Sequence, residues 1–274
     1  MTKQGPRLLL LPLLTCLLAA SPAARADQPL WELGLGAGLL HLPHYRGSDQ
    51  YRNWLLPVPY VNYRGEIFRA DREGAHAVIA EGSGFDFDIS LAANTPARSG
   101  DNRTRIGMPN LAPTVEVGPN LKWTITHGSN WVLDLRLPAR LVVAVDRKPH
   151  DIGFTFSPVL NLDWTLSDWN VGLQSGPVAG SRRYHAYYYD VAPAYATATR
   201  PAYAAHGGAA GWATTASASR RFGNWWLGSY MQSDGLRGAT FDASPLVRAR
   251  SNFSFGVGLS YIFKVSEARV PGPK

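Results

Sequence analysis

Cysteine is nearly missing: Cys16 is the only one in 274 residues. A chain without cysteine pairs draws no stability from disulfides and needs another source of rigidity. Long apolar runs are also scarce. Beyond the first thirty residues nothing approaches the roughly 18 consecutive apolar residues of a spanning helix, so a helical membrane protein is excluded. Charged residues make up only 17% of the chain, and no Lys/Arg cluster alternates with aromatics as a nucleic-acid surface would. The basic pI narrows once the N-terminus is considered.

That N-terminus has the three-part layout of a secretory signal. Lys3 and Arg7 precede an apolar run from Leu8 to Ala20, and Ser21–Ala26 follows with small residues at Ala24 and Ala26. Residues 1–26 are therefore expected to be a signal peptide cleaved before Asp27. Its removal takes Lys3, Arg7, Arg25 and the lone cysteine, leaving 24 Lys+Arg against 20 Asp+Glu. The formal charge falls from +7 to +4, which weakens any reading based on basicity. No nucleic-acid partner is expected.

What the remaining chain does contain is alternation. Trp31, Leu33, Leu35, Ala37 and Leu39 alternate with Glu32, Gly34, Gly36 and Gly38. Phe85, Phe87, Ile89 and Leu91 alternate with Asp86, Asp88 and Ser90. The odd positions from Trp131 to Val145 are apolar, and so are those from Phe253 to Phe263. Period two with one apolar face is the mark of a half-buried strand. A soluble sandwich shows the same period. Three features favour a membrane barrel: glycine-rich polar faces, aromatics at strand ends, and a last strand finishing on Tyr261 and Phe263. The strand-end aromatics are Trp31, Trp54, Trp123, Trp131, Trp164, Trp169, Trp212 and Trp225, placed where interfacial girdles lie.

Strands are expected near 30–40, 53–63, 66–71, 75–81, 84–94, 113–126, 129–146, 152–164, 168–178, 210–222, 224–234 and 252–263. Long connections then fall at 41–52, 95–112, 179–209 and 235–251, with short ones between. Outer-membrane barrels place short turns in the periplasm and long loops outside. About twelve strands put every long loop on one side, and ten is the alternative count. The expected fold is all-β, a transmembrane antiparallel up-and-down β-barrel over 27–263. Residues 264–274 are read as a short periplasmic tail.

The residues also resemble a known group, the OmpV family, also called the MltA-interacting-protein family. The likeness begins at residues 34–51, G-L-G-A-G-L-L-H-L-P-H-Y-R-G-S-D-Q-Y, and continues through Pro57, Pro59 and Tyr63-Arg64. It resumes at Thr114–Gly118, at Tyr188-Tyr189 with Val191, and at Ser244–Val247. It closes on G-L-S-Y-x-F, Gly258 to Phe263. Asp190 departs from the family's usual glycine, and eleven residues extend past Phe263. The resemblance implies a barrel in the outer membrane of a Gram-negative cell envelope, contacting outer-membrane lipid. It further implies that some members are scaffolds linking a lytic murein transglycosylase to a murein synthase, whereas others are surface adhesins or osmotically regulated proteins.

Few residues suggest chemistry. Gly34-x-Gly36-x-Gly38 lacks the helix a nucleotide fingerprint requires and reads as lumen-facing glycine. His41, His44, Ser48 and Asp49 fall in the first long loop and are the only candidates for a hydrolase; Gly47-Ser48-Asp49 are equally turn formers. No catalytic, cofactor-binding or metal-ligating residue is assigned, and no enzyme activity or cofactor is expected. The inward face instead carries Glu32, Asp86, Asp88, Glu116, Lys122, Asp134, Arg136, Arg140, Asp146 and Asp163. Mixed signs imply mutual pairing and a plugged or narrow lumen, though a diffusion pore would carry the same signs. The tyrosine-rich 179–209 is either a binding platform or a cover for the barrel mouth. The leading expectation is a non-enzymatic envelope scaffold; a narrow solute channel or surface adhesin is the alternative, and a barrel hydrolase comes last.

Overall fold

The computed structural model describes residues 27–65, 68–71, 74–82 and 84–270. The expected signal peptide, the start of the strand expected at 66–71, and residues 271–274 lie outside the described residues. In chain order the strands are β1 (Gln28–Pro29), β2 (Trp31–Pro43), β3 (Tyr51–Arg64), β4 (Phe68–Asp71) and β5 (Gly74–Gly82). There follow β6 (Phe85–Asn94), β7 (Thr114–His127), β8 (Trp131–Ala144), β9 (His150–Phe156) and β10 (Val159–Leu166). The series ends with β11 (Trp169–Gly180), β12 (Gly208–Phe222), β13 (Trp225–Gly235), β14 (Ser251–Val265) and β15 (Arg269–Val270). Among the described residues one α-helix, α1 (Arg182–Tyr189), interrupts the series between β11 and β12.

Strands β2 to β14 make one antiparallel sheet that closes on itself. The last long strand returns to the first: β14 pairs with β2 from Phe255↔His41 to Val265↔Glu32. The stretch expected as one strand over 152–164 is two segments in a single lane. β9 lies opposite Ala139–Ala144 and β10 opposite Trp131–Arg136, and β11 runs beside both. The break falls at Ser157-Pro158, where proline offers no N–H to a ladder.

Two other prolines have a different consequence. Pro57 and Pro59 sit in β3 without disturbing its pairing with β2, which runs unbroken from Pro43↔Tyr51 to Trp31↔Tyr63. Their missing donors therefore fall on the other edge, which among the described residues β4 covers only at Tyr63 and Arg64. Proline tolerated in a strand marks such an edge.

Polarity settles the environment. Along β14, Phe253, Phe255, Val257, Leu259, Tyr261 and Phe263 face outward and are exposed, whereas Asn252, Ser254 and Ser260 are buried. Inside, Glu32 is 2% exposed and Asp134 1%, while Leu55 on the outer surface is 72% exposed. A water-soluble sandwich would show the reverse. Apolar outside and polar within is the arrangement of a barrel whose solvent is lipid. Glycine on the inner face of β2 has a steric cause as well: a Cβ at Gly36 would strike the β14 backbone at Leu259 and Ser260.

Segments 44–50, 95–113, 145–149, 181–207 and 236–250 all emerge at one end of the barrel. The opposite end carries the tight connections, such as 128–130, 167–168 and 223–224, and the short strands β1 and β15. There β15 pairs with β1, Val270 opposite Gln28. The last barrel strand thus reaches Val265, two residues past the expected end, and part of the expected tail is paired with the start of the barrel domain.

Candidate functional site

At the long-loop end the connections do not splay into solvent. They pack on one another in a hydrophobic cluster of Tyr45, Ala97, Leu111, Tyr189, Val191, Ala205, Leu236, Phe241 and Leu246. These residues come from loops rooted at separate points of the barrel wall, so contacts among them must cross the mouth. Helix α1 supplies the centre. Ser181 caps it, its Oγ accepting from the Tyr184 N–H at 3.3 Å, as a serine N-cap does. The approach of α1 to the wall depends on Gly153, whose φ is +111°. A Cβ there would meet Ser181 Oγ and lie 2.9 Å from the Tyr184 nitrogen.

Polar groups tie the cap together. Tyr189 Oη donates to the Arg46 carbonyl at 2.9 Å and Tyr45 Oη to the Leu246 carbonyl at 2.8 Å. Ser244 Oγ donates to the Tyr189 carbonyl at 2.8 Å. The buried Arg105 donates to the Tyr188 carbonyl at 2.9 Å. Arg200 binds the carbonyls of Thr104 and Ile106, at 2.8 and 3.0 Å, which fastens the loop after β11 to the loop after β6. Asp190 accepts the Ala205 N–H at 2.5 Å. Burial pushes the Tyr189 and Tyr184 hydroxyls well above their ordinary pKa, and these rings stay neutral. The tyrosine-rich segment therefore covers the mouth. His185 is also buried; its Nδ1 lies 2.6 Å from the His206 carbonyl, and desolvation lowers its pKa.

Below the cap the inner wall is lined by paired charges. At the short-turn end Glu32 is held by Arg221, by Arg64 at 3.4 Å and by the Tyr60 hydroxyl at 3.2 Å. Further up, Arg136 lies between Asp134 at 2.6 Å and Asp163 at 3.0 Å, and Asn161 donates to both carboxylates. Asn120 donates to Asp88 at 3.3 Å, and Arg140 to the Ser90 hydroxyl at 2.9 Å. Glu116 accepts from Asn94 and Thr155, and Asp86 stands opposite Lys122 in the β6–β7 register. Near the cap Arg46 pairs with Asp234 at 3.0 Å. Pairing of this kind satisfies buried charge that would otherwise be very costly.

Nine of the ten residues expected inside sit on the inner face. Asp146 does not: it lies beyond the end of β8, exposed, accepting the Lys148 N–H at 2.9 Å. Trp54 also departs from expectation. It lies opposite Leu40 on the inner face of β3 with Arg52 stacked on it at 4.6 Å, so it is not a girdle residue. Trp226 was not anticipated; it faces inward against Tyr60, with ring centroids 5.6 Å apart. The sequence signal was available, since Trp225 and Trp226 are adjacent and neighbours in a strand point to opposite faces.

The candidate hydrolase residues do not assemble as a nucleophile and base. His41 stacks between Tyr51 and Phe255, at 4.8 and 5.0 Å. Asn102 stands between His44 and Ser48, donating at 3.1 Å to each. Ser48 is fully buried, with its hydroxyl engaged in the Gln50 turn, and Asp49 pairs with Arg103 at 3.3 Å. Among the described residues no group of three or more His, Cys, Asp or Glu side chains converges as a metal site would require.

A closed antiparallel sheet, apolar outside and charged within, with every long loop at one end, defines an outer-membrane β-barrel whose mouth is capped. The chain belongs to the family described as MltA-interacting protein MipA, whose model matches residues 35–263. No curated protein matches it. Among solved structures it is similar to outer membrane phospholipase A from Escherichia coli, at 9% identity over 88% of this chain and 93% of that one, TM-score 0.33. A porin refined at 1.8 Å aligns at 11% identity over 85% and 99%, TM-score 0.34. OprG from Pseudomonas aeruginosa aligns at 9% over 87% and 98%, TM-score 0.23.

Proposed function

We propose that this protein is a non-enzymatic scaffold of the cell envelope. Its barrel anchors it in the outer membrane, and its short-turn end engages murein-processing enzymes in the periplasm. The observation that carries this reading is the cap. Arg200 and Arg105 fasten loops from separate parts of the wall across the mouth, and the inner wall beneath is lined by paired charges. A barrel so capped serves better as an anchor than as a route for solutes. The family's description as MltA-interacting supports a murein-hydrolysing partner. A lytic murein transglycosylase and a murein synthase are the proposed partners, and the export signal at 1–26 is part of the same reading.

A periplasmic partner can reach only the short-turn end. Photocrosslinking amino acids at Asn130, Ser167 and Asn224 in growing cells should capture murein enzymes. The same probe at Arg147 or Ala202, on the long-loop end, should not. Capture confined to the long-loop positions, with no murein enzyme among the products, would transfer the function to the cell surface.

A further inference from the structure

The long-loop segments carry twelve Lys and Arg against five Asp, whereas the short turns and the C-terminal segment together have no excess of positive charge. Five of these side chains are engaged: Arg46, Arg103 and Arg183 in ion pairs, and Arg105 and Arg200 on backbone carbonyls. Arg237 and Arg250 are among the others: both are exposed, and neither guanidinium has a hydrogen-bond or ion-pair partner among the described residues. They flank an open cleft of about 320 Å³ on the outer surface of the barrel, lined also by Trp212, Gly235 and Ser251.

The register explains the cleft. Trp212, Gly235 and Ser251 are direct cross-strand neighbours on β12, β13 and β14, so all three face outward in one row. Gly235 leaves that row empty: a Cβ built on it meets nothing within 4 Å. Trp212 is 52% exposed, and its indole N–H donates to Ser175 Oγ at 2.8 Å. The other outward tryptophans, Trp31, Trp123, Trp131, Trp164, Trp169 and Trp225, lie toward the short-turn end. Trp212 thus marks the membrane boundary at the long-loop end, beside Arg237 and Arg250.

Toward mid-membrane the cleft continues as a trough. Thr214, Ala216 and Ala218 follow Trp212 on the outward face of β12. Ala216 has Leu173 on one side and Met231 on the other. At the spacing of neighbouring strands those two walls stand about 10 Å apart, enough to seat one hydrocarbon chain.

We propose that this cleft binds the phosphorylated glycolipid of the membrane's outer leaflet. Arg237 and Arg250 take a sugar phosphate, Trp212 packs on the sugar at the boundary, and an acyl chain lies along Thr214–Ala216–Ala218. Guanidinium forks match phosphate oxygens in pairs, and basic pockets at a membrane surface select lipid head groups in this way. An acidic protein segment would meet the arginines too, but it would have no use for an apolar trough running into the membrane. The inference rests on how the barrel sits in the membrane and is independent of the scaffold reading.

The test uses the full chain in mild detergent, with native mass spectrometry titrating diphosphorylated lipid A. The unaltered protein should retain the lipid. The double variant Arg237→Ala/Arg250→Ala should lose at least about tenfold in affinity. Gly235→Phe, which fills the cleft and spares both arginines, should lose a similar factor, while Arg147→Ala/Lys148→Ala should change little. Heat-modifiable migration on gels confirms that each variant is a folded barrel. Equal affinity in all variants, or equal binding of dephosphorylated lipid A, would overturn the assignment. Displacement by excess inorganic phosphate would reduce the site to a simple anion subsite and overturn the glycolipid assignment as well.

Discussion

Tyr189 lies flat on Phe241, with ring centroids 3.7 Å apart and planes 8° from parallel. One ring ends helix α1 and the other belongs to the loop before β14, so this stack joins the connections before β12 and β14 at the centre of the cap. Both rings are buried, and His185 meets the Phe241 ring edge-on at 4.7 Å.

Phe241→Ala removes the partner of both. Truncating a buried phenylalanine costs about 3–5 kcal/mol, and here the loss should be confined to the cap. Hydrogen exchange should speed up in 181–207 and 236–250 while the β2–β3 and β13–β14 ladders stay protected. Loss of protection throughout the barrel would mean that the cap and the wall are one cooperative unit.

The cap should also loosen in acid. Burial disfavours the charged form of His185, and the nearby Arg46 adds to this against the opposing hydrogen bond to His206. His44 shifts in the same direction, again chiefly through desolvation. The folded cap therefore refuses a proton that the opened cap accepts below the ordinary value of 6.5. Its stabilisation is complete above that pH and declines as the pH falls below it. Exchange in 181–207 measured on either side should rise on the acid side, and His185→Phe should remove much of the rise. An unchanged acid response in that variant would assign the effect to other groups.

Facing can be tested in mid-strand. Leu259 is 46% exposed on the outer surface of β14, next to the buried Ser260. Leu259→Arg should destabilise the barrel in lipid by about 2–4 kcal/mol, read from urea titration in bilayers. If Leu259→Arg costs nothing, the outward face does not meet lipid.

Much of this architecture was legible in the residues, and the failures have identifiable causes. Alternation located β14 because Phe253 to Phe263 is apolar at every odd position and small or polar at most even ones. In β3 the rule weakens. There the inner face holds Trp54, Leu56, Val58 and Tyr60 against Leu55, Pro57, Pro59 and Val61 outside, so hydrophobicity does not distinguish lumen from lipid and Trp54 was misplaced. Helix α1 escaped because eight residues, R-R-Y-H-A-Y-Y-Y, are too few to show a helical period. Its formation depends on the Ser181 cap and on the cluster it packs into. The break between β9 and β10 was signalled by Pro158, but a proline at a strand edge looks the same in sequence. The cap itself required knowing which loops share an end. Strand parity gave that, but not that Arg105 and Arg200 would bridge them.

The claim that the barrel is an anchor for a periplasmic partner is tested most directly by binding in a defined system. The full chain in lipid nanodiscs would be titrated with a purified lytic murein transglycosylase. The account predicts saturable binding that is lost when turns 128–130 and 167–168 are replaced by glycine-serine links and is unchanged by Phe241→Ala. Absence of binding to the unaltered protein, or loss of binding only when the cap is altered, would contradict it.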